Sequence, residues 1–308
     1  MSLHLIDIDS LDDEGIRALL DRAQALAAGA VPHRCTGTVA NLFLEPSTRT
    51  RVSFELAARR LGLEVINLDA DRSSTVKGES LRDTVQTLAA LAVSAVVVRH
   101  HEDRAVAHLA RDLPEQAPVL INAGAGRAAH PTQALLDAAV LESRGIVWPD
   151  ARIALLGDLR HSRVARSDCR LFRRLGATDL RIAGPPELMP GEDELPGVRR
   201  CDSVDEAISD ANVVICLRIQ RERIGAAGYP DGSEFHAHWG LSLDRAARLA
   251  AGTWILHPGP VNRGVEIAPE LVESPQSLIL EQVRFGRHLR TAVFEQLLCD
   301  QEPERHHD

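Results

Sequence analysis

The chain has 308 residues, of which 44% are hydrophobic and 26% charged, and 35 basic against 44 acidic residues give a net charge of −9. This composition excludes a disordered chain, and the length predicts about two domains at roughly 150 residues each. The acidic balance argues against a general nucleic-acid-binding protein, although local clusters of arginine can still bind anionic substrates.

Apolar runs typical of buried strands alternate with segments of helical period in the first half of the chain. The predicted strands are Thr38–Leu44, Glu64–Asp69, Ala95–His100 and Pro118–Ala123. The predicted helices are Thr48–Leu61, Leu81–Leu91, Arg104–Leu113 and Thr132–Arg144. Such alternation predicts βαβ units around a parallel sheet.

A second series of elements follows a linker at 145–150. Its predicted strands are Arg152–Leu156, Leu180–Ala183, Asn212–Leu217 and Trp254–Leu256, with a helix over Val164–Leu175 and a last helix over Arg287–Leu298. The sequence therefore predicts an α/β protein with two doubly wound parallel-sheet domains, 1–146 and 147–286. The C-terminal helix (287–308) is expected to pack back on the first domain.

Neither a membrane span nor a signal peptide is expected. The longest apolar candidate, Leu88–Val98, stops at Arg99 and is well short of the ~20 residues that a span needs. The five cysteines are scattered and form no CxxC pair: Cys35, Cys169, Cys201, Cys216 and Cys299. We expect them to be buried free thiols in a reducing cytoplasm, with no disulfide framework and no zinc site.

The segment Glu45–Arg51 carries three hydroxyl groups and two guanidinium groups between a predicted strand and a predicted helix. The start of a helix favours an anion, and these side chains add donors suited to a phosphate. The alternative is that one Ser or Thr caps the helix while the arginines are solvated. Capping needs only one of these groups, so the pattern favours an anion site.

Two further segments follow predicted strands of the first domain. Arg99 lies at the end of a buried strand, where open α/β sheets bind ligands, so its guanidinium is placed to contact a ligand. The alternative is a strand-end arginine that is solvated. Gly124, Gly126 and Ala129 match a GxGxxA dinucleotide fingerprint, but His130-Pro131 falls where the helix of that fingerprint should already run. The alternative is a glycine loop that presents His130 and Gln133 at a helix start.

Basic and polar side chains also follow the strands of the second series. Arg163 lies in the turn after the strand Arg152–Leu156. Arg218 and Gln220 follow the strand Asn212–Leu217 and lie two residues apart, so their side chains face the same way in an extended chain. Pro258 and Gly259 belong to a proline-rich turn in which a cis Gly-Pro bond is one alternative and a simple rigid turn the other. Ser73 and Lys77 lie in a polar loop.

Together these segments resemble the catalytic chains of the aspartate carbamoyltransferases (aspartate transcarbamylases). The matching motifs are Ser47-Thr48-Arg49-Thr50-Arg51, His130-Pro131-Thr132-Gln133, His257-Pro258-Gly259-Pro260, the 73–80 loop, the 161–164 turn and Arg218-Ile219-Gln220-Arg221-Glu222-Arg223. The ornithine branch usually carries a Cys in the corresponding motif, which reads His-Cys-Leu-Pro, whereas this chain reads His-Pro-Gly-Pro. One departure is that the family usually has Gly-Asp-Gly and a Gln before the histidine, where this chain has Ala125 and Ala129.

The resemblance implies transfer of a carbamoyl group from carbamoyl phosphate to L-aspartate in a cleft between the two domains, an early step of pyrimidine biosynthesis that needs no metal and no cofactor. It assigns carbamoyl-phosphate binding to Ser47, Thr48, Arg49, Thr50, Ser73, Lys77, Arg99, His130, Gln133, Pro258 and Gly259. It assigns aspartate binding to Lys77, Arg163, Arg218 and Gln220. The catalytic set is Arg49, Thr50, Lys77, Arg99 and His130.

The resemblance also implies a homotrimer, in which Ser73 and Lys77 reach into the neighbouring subunit's site. Regulatory or dihydroorotase-like chains are the partners known among relatives, and neither nucleic acid nor membrane is expected. Two other functions stay open at this point: a carbamoyltransferase with another amine acceptor, and a catalytically silent scaffold homologue. The paired arginines Arg163 and Arg218 favour a dicarboxylate acceptor, and the presence of Arg49, Arg99, His130 and Lys77 argues against a silent homologue.

Overall fold

The computed structural model describes residues 4–69, 79–114, 116–220 and 232–299. The chain divides into two compact units, the first comprising residues up to Ala139 and from Val283 onward, the second Val140–Gln282. Each unit is built around its own parallel sheet. The predicted fold class, two parallel-sheet α/β domains, is therefore confirmed.

The first sheet has the strand order β2-β1-β3-β4, with β1 Thr38–Phe43, β2 Glu64–Asp69, β3 Ala95–His100 and β4 Val119–Ala125. The inner strand β3 is buried from Ala95 to Val98, as its uninterrupted apolar run predicts. The helices of this unit are α1 Asp13–Ala27, α2 Thr48–Leu61, α3 Leu81–Ala90, α4 Ala105–Asp112 and α5 Pro131–Ser143. Gly62 ends α2 with a φ of +91°, a conformation that favours glycine.

The second sheet has the order β7-β6-β5-β8-β9. Its strands are β5 Arg152–Gly157, β6 Asp179–Ala183, β7 Arg199–Arg200, β8 Val213–Leu217 and β9 Trp254–Leu256. Its helices are α6 Arg163–Arg174, α7 Val204–Ile208, α8 Gly232–Trp239 and α9 Leu243–Ala246. Strand β8 is buried along its whole length between β5 and β9.

The last helix, α10, runs from Ile279 to Phe294 and continues as a π-helical turn over Glu295–Cys299. The predicted start at Arg287 is therefore wrong. The helix includes Gly286, although a glycine inside a helix costs about 1 kcal/mol relative to alanine. A β-carbon at Gly286 would lie 2.6 Å from Nη1 of Arg290, so the packing of Arg290 explains a glycine inside this helix.

The C-terminal helical segment packs on helices of the first unit. Its position in the sequence could not establish this packing, but the contacts in the structure do. The Phe294 ring meets the Phe54 ring edge-on, with centroids 5.8 Å apart. Nη1 of Arg290 donates to the Ser53 hydroxyl at 2.8 Å, and Nε of Arg22 lies 2.6 Å from the Glu295 carboxylate. These contacts join the chain's last described helix to α1 and α2.

Two of the five cysteines are paired, which corrects the expectation that all are free. Cys35 and Cys299 form a disulfide across 264 residues of sequence, with Cα atoms 5.4 Å apart. Cysteine spacing cannot reveal so distant a pairing, because only the fold brings the two residues together. Cys169, Cys201 and Cys216 are buried free thiols, and burial raises the pKa of Cys201 to about 11.

In the part of the chain that the structure describes, no helix is long and apolar enough to cross a bilayer. The same residues contain no group of three or more His, Cys, Asp or Glu side chains arranged to hold a metal ion.

Candidate active site

The strands of the first sheet end at one edge, and the segments that follow them meet there. Phe43 of β1 is paired with Arg99 of β3, and the N–H of Leu44 donates to the carbonyl of Arg99 at 2.8 Å. On the other side of β3, the N–H of Gly126 donates to the carbonyl of His100 at 2.9 Å. Open α/β sheets bind ligands at the carboxyl ends of their strands, so this edge is the candidate site of the first unit.

The turn after β1 presents hydroxyl and guanidinium groups at the start of α2. Ser47 occupies the N-cap position, but its hydroxyl makes no capping hydrogen bond. Thr48 and Arg49 are exposed, whereas Thr50 is buried. The N–H groups of a first helical turn and the helix dipole favour an anion, and the Ser47 side chain does not occupy those N–H groups. The geometry thus favours an anion site over simple helix capping.

Arg99 is fixed between the turn after β1 and the end of β4. Its Nη1 donates to the carbonyl of Ala123 at 3.1 Å, and its Nε lies 3.5 Å from the carboxylate of Glu45. The side chain is 11% exposed, so the interpretation of Arg99 as a solvated strand-end residue is wrong. The guanidinium is instead a largely buried, pre-oriented cation at the candidate anion site.

Two histidines follow Arg99 at the end of β3, and they stack on each other. The rings of His100 and His101 have centroids 4.4 Å apart. Nδ1 of His100 accepts from the N–H of Glu102 at 3.0 Å. Burial, followed by the neighbouring His101, lowers the pKa of His100, which favours the neutral ring that accepts this hydrogen bond.

The loop that follows β4 is held by backbone contacts and by one aspartate. The N–H of Ala125 donates to the carbonyl of Ala129 at 3.0 Å, and Asp103 accepts from the N–H of Arg127 at 2.6 Å. Ala125 packs in the apolar core of the first unit. At the two positions where the sequence departs from the family pattern, Ala125 thus packs in the apolar core and its N–H donates to the carbonyl of Ala129.

His130 and Gln133 lie at the start of α5, where the sequence predicts them. His130 is buried directly before the helix, and the N–H of Gln133 donates to its carbonyl at 3.0 Å. Nε2 of Gln133 donates to the carboxylate of Asp137 at 3.0 Å. Since a carboxylate only accepts, this bond fixes the orientation of the amide, with Nε2 as the donor to Asp137 and Oε1 as the acceptor atom. The helix begins only at Pro131, which argues against a dinucleotide fingerprint.

The second unit brings Arg163 and Gln220 to the carboxyl edge of its own sheet. Asp158 is fully buried after β5 and accepts from the N–H of His161 at 3.1 Å, while Nδ1 of His161 lies 2.9 Å from the same carboxylate. Ser162 caps α6, and Arg163 is its first residue. Nε2 of Gln220 donates to the carbonyl of His161 at 2.9 Å, so Gln220 lies beside the turn that carries Arg163.

The turn after β9 holds Pro258 and Gly259, both half-buried. The Gly259–Pro260 peptide is cis, and the N–H of Gly259 donates to Nδ1 of His257 at 2.9 Å. Arg218 is half-buried directly after β8. Of the other predicted site residues, Ser73 and Lys77 lie outside the described residues.

Acidic side chains that the sequence patterns do not single out support several of these groups. Glu45 pairs with Arg99, Asp103 holds the loop before His130, and Glu266 is buried near the turn after β9. Local sequence gives no signal for Glu266, because Glu64 also lies between two apolar residues and is exposed. Its partners are remote in sequence and could not be identified without the fold.

Two family models cover most of the chain. Residues 3–143 match the carbamoyl-P binding domain of aspartate/ornithine carbamoyltransferase, and residues 149–297 match the Asp/Orn binding domain. An aspartate carbamoyltransferase catalytic subunit from Xanthomonas campestris pv. campestris (strain B100) is 46% identical over 302 residues, which cover 96% of each chain. The chain belongs to the aspartate carbamoyltransferase family.

Other aspartate carbamoyltransferases give the same result. The catalytic subunit from Stenotrophomonas maltophilia (strain K279a) is 43% identical over 303 residues, with 96% of each chain covered. The aspartate transcarbamoylase of Trypanosoma cruzi in complex with carbamoyl phosphate has a TM-score of 0.84 at 28% identity, covering 96% of this chain and 95% of that one. Its complex with N-(phosphonacetyl)-L-aspartic acid has a TM-score of 0.82 at 29% identity, with the same coverage. The resemblance predicted from the sequence motifs is confirmed.

Proposed function

We propose that this chain transfers the carbamoyl group of carbamoyl phosphate to the amine of L-aspartate, giving N-carbamoyl-L-aspartate and phosphate. The observation that carries this proposal is the position of Arg99, which is held at the strand edge by Ala123 and by Glu45 of the turn that leads into α2. A fixed guanidinium beside a helix N-terminus is suited to a phosphate. The reaction fits an early step of pyrimidine biosynthesis.

The first unit supplies the carbamoyl-phosphate half-site in this proposal. Hydroxyl and guanidinium groups cradle the phosphate, and a second set of groups polarises the carbonyl oxygen as charge develops there. The phosphate is bound by Ser47, Thr48, Arg49, Thr50 and Arg99, with Ser73 and Lys77 from a neighbouring subunit. Arg49, Thr50, Arg99 and His130 act on the carbonyl oxygen. Oε1 of Gln133, which the Asp137 contact leaves as an acceptor, receives the carbamoyl N–H together with the carbonyls of Pro258 and Gly259.

The second unit supplies the acceptor half-site. Arg163 and Arg218 bind the two carboxylates of aspartate, with Gln220 and Lys77 as further partners. Gln220 is supported in this role by its hydrogen bond to the turn that carries Arg163. The neutral amine of aspartate attacks the carbonyl carbon, and phosphate leaves. Because the chain's own groups act by orientation and electrostatics, we assign no covalent nucleophile.

We propose 1–146, with the returning C-terminal segment, as the carbamoyl-phosphate domain and 147–286 as the aspartate domain. A cyclic homotrimer is the proposed active unit, since Ser73 and Lys77 act across subunits in this family. Full activity in a verified monomer would contradict that assembly. Regulatory or dihydroorotase-like chains are the partners to test first. We propose the cytoplasm as the compartment, and only the family relationship supports this proposal. The Cys35–Cys299 disulfide does not support it, because disulfides are atypical of a reducing environment.

The experiment that tests the function is product formation from carbamoyl phosphate by the purified chain alone, with aspartate and with ornithine as acceptors. We expect turnover with aspartate and none with ornithine. Turnover with ornithine would identify a different acceptor. Absence of turnover with either acceptor, after candidate partner chains are added, would favour a silent scaffold homologue.

A further inference from the structure

Glu266 carries a carboxylate that is buried in the second unit, 2% exposed to solvent. It lies between Val265 and Ile267, and Ile267 belongs to the apolar core of this unit. A charge in such surroundings is costly unless it is fully hydrogen-bonded. Its donors therefore indicate what the carboxylate is there to hold.

One oxygen of Glu266 holds the backbone of the proposed acceptor segment. Oε1 accepts from the N–H of Ile219 at 2.8 Å. Ile219 stands between Arg218 and Gln220, the two residues assigned to aspartate, so fixing its amide fixes the main chain of both. The Ile219 side chain is fully buried against Leu188 and Phe235, which anchors the same residue from its other end.

Both oxygens of Glu266 also hold the turn after β9. Oε1 accepts from Nδ2 of Asn262 at 2.6 Å, and Oε2 accepts from the N–H of Asn262 at 2.9 Å. Nε2 of His257 lies 3.8 Å from Oε2. Since Nδ1 of His257 accepts from the N–H of Gly259, the ring proton of a neutral His257 is on Nε2, on the side of Glu266. One carboxylate thus contacts groups at both ends of the segment that contains Pro258 and Gly259.

We propose that Glu266 is a positioning residue that couples the acceptor-binding segment Arg218–Gln220 to the carbamoyl-phosphate turn at Pro258–Gly259. The inference rests on the proposed function, because both segments are defined by the substrates assigned to them. If one segment shifts, the N–H group through which it donates to Glu266 shifts with it and moves the shared carboxylate. The other segment donates to the same carboxylate and therefore shifts as well. If the site needed only stability, apolar side chains of similar volume would serve as well as a buried charge.

The variant that tests the coupling is Glu266→Gln. An amide of the same shape keeps one acceptor oxygen and replaces the other with NH2, which cannot accept from the N–H of Ile219 or of Asn262. We expect the KM for aspartate and the KM for carbamoyl phosphate both to rise at least fivefold, although the two ligands contact different segments. The control is Glu273→Gln, since Glu273 is exposed and pairs with Arg263 at 2.8 Å further along the same chain segment. Both KM values should be unchanged in that variant.

A second variant covers the case in which Glu266→Gln does not fold. Asn262→Ala removes only the Nδ2 donor and leaves the carboxylate and every backbone donor in place, so both KM values should rise by about two- to threefold. A purely structural role would lower the amount of folded enzyme without moving either KM. A folded variant with both KM values unchanged, or with only one of them changed, would overturn the coupling. Lack of turnover by the wild-type chain would instead overturn the proposed function, and the coupling with it.

Discussion

Asp103 binds Arg127 twice, once at its backbone N–H, 2.6 Å away, and once at its guanidinium, 2.9 Å away. This pair closes the loop between β4 and His130 from the side of the segment that follows β3. Gly126 lies inside the closed loop with a φ of +44°. A β-carbon there would overlap the Asp103 carboxylate and lie 2.5 Å from its backbone nitrogen, so the contact requires glycine.

We therefore expect Gly126→Ala to destabilise the first unit and to disturb the loop before His130. The matched control is Gly145→Ala, since Gly145 has a φ of +79° but a β-carbon there meets nothing within 4 Å. The control should cost about 1 kcal/mol for its backbone conformation alone, and Gly126→Ala about 2 kcal/mol more because of the overlap. Urea denaturation measures both values. The KM for carbamoyl phosphate should rise only in Gly126→Ala, and equal effects of the two variants would contradict this role of the Asp103 contact.

Arg49 offers a test of the anion site that leaves the fold intact. It is exposed in the first turn of α2, so Arg49→Ala should change the free energy of unfolding by no more than about 0.5 kcal/mol. Loss of a donor that stabilises developing charge should lower kcat/KM by about 10²–10³-fold. Arg59→Ala is the control, because Arg59 is exposed on the same helix and pairs only with Glu55 among the described ion pairs. Unchanged kinetics in Arg49→Ala would remove Arg49 from the site.

The sequence predicted the strands and helices best where local pattern and tertiary structure agree. α2, β2, β3 and β9 have the predicted bounds, because strong apolar runs or a terminal glycine define them. The start of α10 was wrong because a glycine inside a helix contradicts local propensity and is explained only by the contact with Arg290. Helices such as α1 and α7 were not predicted.

The candidate site divides in the same way. Residues at the end of a strand or at the start of the helix that follows, such as Arg99 and His130, can be found from local sequence because the topology of parallel sheets places the carboxyl ends of all strands at one edge. The acidic residues that support the site cannot be found in this way. Glu266 holds Ile219 across 47 positions of sequence, and Asp103 holds Arg127 across 24. Those pairings depend on how the strands are ordered, which the sequence alone does not give.

The Cys35–Cys299 disulfide predicts a specific count of reactive thiols. Denatured chain without reductant should react with three equivalents of DTNB, from the three free cysteines, and reduced chain with five. Because the bond closes a loop of more than 260 residues, its reduction should lower the free energy of unfolding by about 2–5 kcal/mol. In Cys35→Ser, reductant should have no further effect. Five reactive thiols before reduction would contradict the pairing.

His288 predicts how stability depends on pH. Its Nδ1 lies 3.2 Å from Nη1 of Arg60, so the ring accepts from a guanidinium and must be neutral there. Burial, followed by the charges of Arg287 and Arg60, lowers the pKa of His288 from 6.5 to about 4. Between these two pH values the unfolded chain binds the proton and the folded chain does not, so stability falls as the pH drops from 6.5 towards 4.

The variant His288→Gln keeps an acceptor for Arg60 but cannot be protonated. It should therefore lose less stability than the wild type between pH 7 and pH 5, by about 1 kcal/mol once solvent screening of a partly exposed ring is taken into account. Burial also lowers the pKa values of His4 and His100, so an acid-dependent loss remains in the variant. His108→Gln, at an exposed position of α4, should follow the wild-type curve. Urea denaturation at several pH values gives the comparison, and parallel curves for His288→Gln and the wild type would show that His288 is not the titrating group.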